Sequence, residues 1–212
     1  MTNIDLFQIT LVLVVVLLSM TLHEAMHAFT SYWLGDDTAK HSGRLTLNPI
    51  AHIDPFLTLL LPVALALMGL PIFGGAKPVP FNPLRVRYGD FGAALVGVAG
   101  PLTNLVIAFF AFGIYALAGT PDGIAGLVFQ LIVLVNLGFF IFNMLPLPPL
   151  DGSRLLYALA PEGARRVMEA IERNGLIVIF AIVLLFSNQI GQFILGVRSI
   201  IVTGFSLLFG VQ

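Results

Sequence analysis

The sequence predicts an all-α polytopic membrane protein: a helical bundle of about five to six membrane segments, with a re-entrant segment and a small extended or hairpin element. Three observations predict it. Of the 212 residues, 58% are hydrophobic and only 10% charged. Mean hydropathy is strongly positive. Apolar runs long enough to cross a hydrocarbon core of ~30 Å recur along the chain. A soluble domain needs no such excess of apolar residues to fill its core, so the lipid bilayer is the expected surroundings. Net charge is -1 with no basic or acidic tail, which points away from nucleic acid and from a membrane-surface binder. There is no cysteine, so no disulfide forms, and a zinc site has to draw on His, Asp or Glu.

The first apolar run resembles a signal peptide in length. Residues Met1 to Gln8 carry no Lys or Arg and no small-residue cleavage pattern follows, so a retained helix from about Ile4 to Leu34 is expected. Gly35 and Asp36 mark its end. A polar stretch from Asp36 to Asp54 precedes a short apolar segment, Pro55 to Leu70, interrupted by Pro62 and marginal as a span. Residues Ile72 to Arg87 mix glycine, three prolines and alternating apolar residues, the signature of an extended or hairpin segment. Two clear spans follow, Phe91 to Ala118 and Ile124 to Leu145, joined by the turn signal GTPDG. After PLPPLDG, a helix is expected from Asp151 to about Ala160 and an amphipathic one to Asn174. The apolar stretch Gly175 to Phe209, broken by polar Ser187 to Gln192, supplies up to two more. With no internal repeat and no room for a soluble insert, residues 1–212 read as a single membrane domain.

His23, Glu24 and His27 form H-E-x-x-H inside the first apolar helix. Histidines at i and i+4 share a face about 5 to 6 Å apart, so both imidazoles reach one ion. Glu24 then lies beside the ion, placed to act as general base in metal-assisted hydrolysis. A catalytic zinc takes three protein ligands and keeps one position open. Asp151 in NMLPLPPLDG is the best third ligand, because the prolines end the preceding helix and let a carboxylate turn back into the bundle. Leu-Asp-Gly-Ser also reads as a helix N-cap, and the two roles do not exclude each other. Asn143 is a neutral donor and acceptor near the same mouth. The plainer reading of the histidines, packed or solvated on an ordinary helix, is weakened by location. Each charged group at mid-membrane costs ~2.5 to 3.5 kcal/mol, so intramembrane ionisable residues are functional by default.

HEAMH in an apolar helix, AGPLTN at Ala99 to Asn104, and NMLPLPPLDG at Asn143 to Gly152 together resemble the site-2 protease family of intramembrane metalloproteases, in its compact form without PDZ or CBS domains. The resemblance implies one Zn2+ per chain held by His23, His27 and Asp151, Glu24 as catalytic base, and Asn143 on the substrate-binding or oxyanion side. It also implies regulated intramembrane proteolysis of a membrane-protein substrate. Gly100 and Pro101 fall on the family's glycine-proline motif, where small residues allow close helix packing.

One ion needs its ligands on one side of the membrane. If Pro55 to Leu70 crossed, the ends of the first helix and of Ile124 to Leu145 would emerge on opposite sides; re-entrance brings them together. Re-entrance also puts Lys40, Arg44, Lys77, Arg85, Arg87, Arg154, Arg165, Arg166 and Arg173 on one side, against Arg198 elsewhere. By the positive-inside rule the N-terminus is then outside and the active site in the cytosolic half of the plasma membrane. Asn48, His52 and Asp54 in LNPIAHIDP either line a polar cavity or cap loops, and the second is the commoner use; His41 reads as solvated. An edge strand in Ile72 to Arg87 would suit an unwound substrate, and an interfacial loop is the equal alternative. The rival function is a metal transporter or metal-binding membrane protein, because intramembrane His and Asp also mark ion pathways. A dead scaffold that binds membrane helices is opposed by the intact ligands and base.

Overall fold

The computed structural model describes residues 6–69 and 74–211. Its first helix, α1, runs Leu6–Trp33, and the predicted start at Ile4 lies outside the described residues. The polar stretch after it carries two one-turn helices, α2 (Thr38–His41) and α3 (Pro49–His52). A wide π-type turn, Pro55–Leu60, then leads into α4, Leu61–Leu67. Asp54 caps that turn through the amides of Phe56 and Leu57. Pro62, lacking an N–H, sits where the wide turn gives way to regular helix. The remaining helices are α5 (Asp90–Leu117), α6 (Gly123–Asn143), α7 (Gly152–Leu159), α8 (Glu162–Glu172) and α9 (Gly175–Phe209).

 The α7 range, Gly152–Leu159, and the α8 range follow the expected pair of short helices closely.

Among the described residues, four helices, α1, α5, α6 and α9, are long and apolar enough to cross a membrane. The chain is therefore an all-α integral membrane protein, with no strand among the described residues. Helices α5 and α6 pack around Ala108, Phe112, Val133, Leu137 and Ile141, and Phe205 of α9 closes that core. Helix α1 lies against both. Helix α8 is tied to the start of α5 by Arg165 and Asp90, 2.5 Å apart. The expected division of the C-terminal stretch into two helices is present: within α9 two helical pieces meet at a kink at Phe186, whose φ of -122° and ψ of 19° are not helical, just before the polar run Ser187 to Gln192.

The segment Pro55–Leu67 does not cross. At 1.5 Å per residue it is about 20 Å long, short of a ~30 Å core. The chain is back beside its entry point by Gly75, whose amide donates to Leu57 O at 3.1 Å, and Lys77 N donates to His52 O at 2.9 Å. Both ends of the segment are thus on the same side. Residues 74–82 run without regular structure and 83–89 form turns and a bend, so in place of the expected extended or hairpin element there is an irregular segment. A hairpin ladder is blocked because Pro78 and Pro80 have no N–H and the amides of Gly75, Lys77 and Val79 bond to groups of other elements.

Candidate metal centre and active site

His23 and His27 project from one face of α1, their ring centroids 4.7 Å apart. From Trp33 at the helix end, His23 is ten residues back, about 15 Å along the axis, which puts the pair deep within the span. Asp151 reaches them from the far end of the Pro-rich turn after α6. That turn is closed by Leu147 N to Leu145 O and Leu150 N to Leu147 O, both 2.8 Å. Gly152 completes it, since a Cβ there would fall 2.5 Å from Met144 O. Asp151 does occupy the N-cap position of α7, but its carboxylate makes no cap hydrogen bond. It turns instead to the histidines: Asp151 Oδ2 lies 3.0 Å from His23 Nε2 and 3.4 Å from His27 Nε2.

The outer nitrogens fix the tautomers. His27 Nδ1 is 2.7 Å from Val96 O and His23 Nδ1 is 2.6 Å from Asn104 Oδ1. Both partners only accept, so each Nδ1 carries the proton and each Nε2 turns its lone pair inward. Asn104 is itself oriented, its amide donating to Asn136 Oδ1 at 2.8 Å while Asn136 donates to Ser19 Oγ at 2.9 Å. Asn104 and Asn136 are fully buried. Three lone-pair donors thus converge on one point, with the two Nε2 atoms 3.1 Å apart. Ligands ~2.0 to 2.1 Å from a tetrahedral zinc stand about 3.3 Å from one another, so this donor set fits zinc in number, type and spacing. Gly100 on α5 leaves room for it: a Cβ at that position would lie 2.7 Å from His23 Nε2 and would also meet His27 Nε2.

Glu24 is half-buried beside this group, and its Oε2 accepts from Val79 N at 3.0 Å. It shares with His23, Asp151, Asn143 and Leu57 a cavity of ≈ 380 Å³. Asn143, the last residue of α6, lines that cavity while its amide nitrogen donates to Phe139 O at 3.0 Å. The structure therefore brings together all five residues singled out from the sequence.

The LNPIAHIDP residues stay outside the cavity. Asn48 caps α3 through Ile50 N, Asp54 caps the π-type turn, and buried His52 bonds to Thr46 O at 2.9 Å. His41 is exposed, 3.5 Å from Asp37. Sequence reasoning passed over Ser19, Asn104 and Asn136 as site residues. The signal for them was present, since each is a polar residue inside an apolar span.

One relative matches most of the chain. YwhC of Bacillus subtilis, named as a candidate zinc metalloprotease, is 40% identical over 191 residues, spanning 86% of this chain and 82% of its own length. The chain belongs to peptidase family M50. The family's model itself matches residues 120–187, which hold Asn143 and Asp151. Two proteins named Rip2, likewise as candidate zinc metalloproteases, are also similar. The Mycolicibacterium smegmatis protein is 35% identical, over 79% of this chain and 64% of its own. The Mycobacterium tuberculosis (strain H37Rv) protein is 32% identical, over 85% and 68%. No solved structure matches. As an M50 member with four helices among the described residues long and apolar enough to cross a membrane, the chain is an intramembrane zinc metalloprotease, and the transporter reading is not favoured.

Proposed function

We propose that His23, His27 and Asp151 hold the zinc, that Glu24 is the general base, and that Asn143 holds the substrate backbone beside them. One observation carries the reading: the ligand atoms of His23, His27 and Asp151 converge, and His23 and Asp151 open on the cavity that the Glu24 carboxylate also lines. Zinc, when bound, supplies Lewis-acid chemistry, polarising a carbonyl and making water acidic enough to attack near neutral pH. Glu24 takes the proton of the attacking water and passes it to the leaving amine. The Asn143 amide is positioned to donate to, or accept from, an unwound peptide. The substrate is a membrane protein with a transmembrane helix, cut in or near that helix, which must unwind because its amides are otherwise paired internally.

The whole chain, residues 1–212, acts as one membrane domain. The N-terminus lies outside and the active site opens in the cytosolic half, a reading supported by the nine cations on the ligand side against Arg198. The matched relatives are bacterial, and the membrane bounding a bacterial cytosol is the plasma membrane.

The test is cleavage of a panel of single-span membrane reporters by purified protein, wild type against Glu24→Gln, with zinc content measured in both. Loss of about 100-fold or more in kcat with zinc retained is expected. Equal cleavage by the two proteins would remove Glu24 from the base role.

A further inference from the structure

We propose that the main-chain N–H of Val79 positions Glu24 for proton transfer, and that Arg44 is the side chain that sets this N–H in place. The inference rests on the reading of Glu24 as the base. A carboxylate at the wall of a cavity swings between rotamers, and proton transfer requires one of them. Among the described residues, Glu24 has one hydrogen-bond donor, Val79 N at 3.0 Å. A charge-assisted bond of this kind is among the stronger ones, and it leaves Oε1 for the water.

The placement of Val79 is imposed from outside its own segment. Residues 74–82 have no ladder of their own, so bonds to other elements fix their course. Arg44 supplies the ones nearest Val79. Its Nη2 donates to Lys77 O at 2.9 Å and to Pro78 O at 3.1 Å, and its Nη1 donates to Ala51 O. The same guanidinium thus joins the loop before the re-entrant segment to the two residues that precede Val79. On the far side, Asn82 N donates to Asp36 Oδ2 at 2.6 Å. Pro78 and Pro80 restrict the main chain on either flank.

Arg44 is 4% exposed, and no carboxylate lies within ion-pair reach of it among the described residues. A buried cation without a counter-ion is expensive, and here carbonyl oxygens alone meet its charge. The planar fork suits that task as an ammonium does not. Arg44 does not line the active-site cavity, so its effect on catalysis runs through the segment it holds: it is a positioning residue.

The test compares full-length, zinc-loaded wild type with Val79→Pro, Val79→Ala, Arg44→Gln, Arg44→Lys and Glu24→Gln, reading kcat and KM on a single-span reporter. Val79→Pro removes the N–H donor at an already proline-flanked site, while its ring also fixes φ; Val79→Ala trims the side chain and keeps the donor. Expected are falls in kcat of roughly 10- to 100-fold in Val79→Pro and Arg44→Gln, with KM within about twofold and zinc content unchanged. Arg44→Lys falls between, and Val79→Ala keeps more kcat than Val79→Pro. The double variant Arg44→Gln/Val79→Pro loses no more than its worse parent, because both act on one contact. Hydrogen exchange of the Val79 amide speeds up in Arg44→Gln, a readout independent of turnover. Wild-type kcat in Val79→Pro, equal kcat in the two Val79 variants, or losses confined to KM would overturn the proposal. The Val79 pair decides alone if Arg44→Gln does not fold. An inactive Glu24→Gln beside fully active Val79→Pro and Arg44→Gln would sink this inference and leave the base assignment standing; an active Glu24→Gln would sink both.

Discussion

At the scale of single residues, the ligands are only as good as the groups that aim them. The chain from His23 through Asn104 and Asn136 to Ser19 crosses three helices and is buried throughout. Partners of this kind fix ring orientation and typically matter 10- to 100-fold in metal affinity. Asn104→Ala is therefore expected to weaken zinc binding by about that factor, measured by competition with a chromogenic chelator, with helix content unchanged. Affinity equal to wild type would reduce Asn104 to a packing residue. Gly100→Ala acts more directly, since its methyl would sit 2.7 Å from His23 Nε2. It is expected to lose zinc and cleavage together. The two cases differ in how far the sequence disclosed them. The H-E-x-x-H spacing is a property of one helix turn, so His23, Glu24 and His27 were legible from it. Asp151 needed the proline-broken turn as well. Arg44 was unreadable, because its role depends on partners 33 and 34 residues away. The Val79 amide was invisible, since a main-chain N–H is written in no residue type.

At the scale of elements, apolar runs bounded by turn signals placed α1, α5 and α6 to within a few residues of their observed ends. Hydrophobic length is a strong signal when lipid is the solvent. The four-residue helices α2 and α3 escaped notice because one turn has no period to detect. They matter as anchors for the irregular segment 74–82. Asp36, buried at the end of α1, receives Thr38 Oγ1 at 2.5 Å and Asn82 N at 2.6 Å. Burial alone would raise the pKa of Asp36, but these donors and the Thr38 amide outweigh it and hold the carboxyl below its ordinary value. A depressed folded pKa contributes stability that is fully present above the unfolded value of ~3.9 and disappears as pH falls through the folded value. Asp36→Asn is thus expected to lower the melting temperature at neutral pH. On acidification below about pH 4, its melting temperature should fall less steeply than that of the wild type. Parallel curves would show that the Asp36 charge does not anchor residue 82.

At the scale of the whole molecule, one topological fact determines whether the metal centre can exist. Helix α1 carries two of the proposed ligands toward the side where it ends, and Arg87 N donates to Leu34 O at 2.8 Å, so α5 starts on that same side. Helix α5 then crosses away and α6 returns, delivering Asp151 to the histidines. Had Pro55–Leu67 crossed, this closure would fail; its His52-to-Lys77 main-chain bond shows that it turns back. Lys40 and Asp122 must therefore face opposite sides of the membrane, and the proposed orientation puts the Lys40 side in the cytosol. The natural absence of cysteine allows single labels without background. Lys40 and Asp122 are both exposed, and Asp122 is preferable to its neighbour Gly119, whose φ of 76° strains any side chain. In intact cells, Asp122→Cys should react with a membrane-impermeant maleimide, whereas Lys40→Cys should react only after permeabilisation. The reverse pattern would keep the fold and invert its orientation. Labelling of both from one side would contradict the path of α5 and α6 through the membrane, and with it the convergence of Asp151 on His23 and His27.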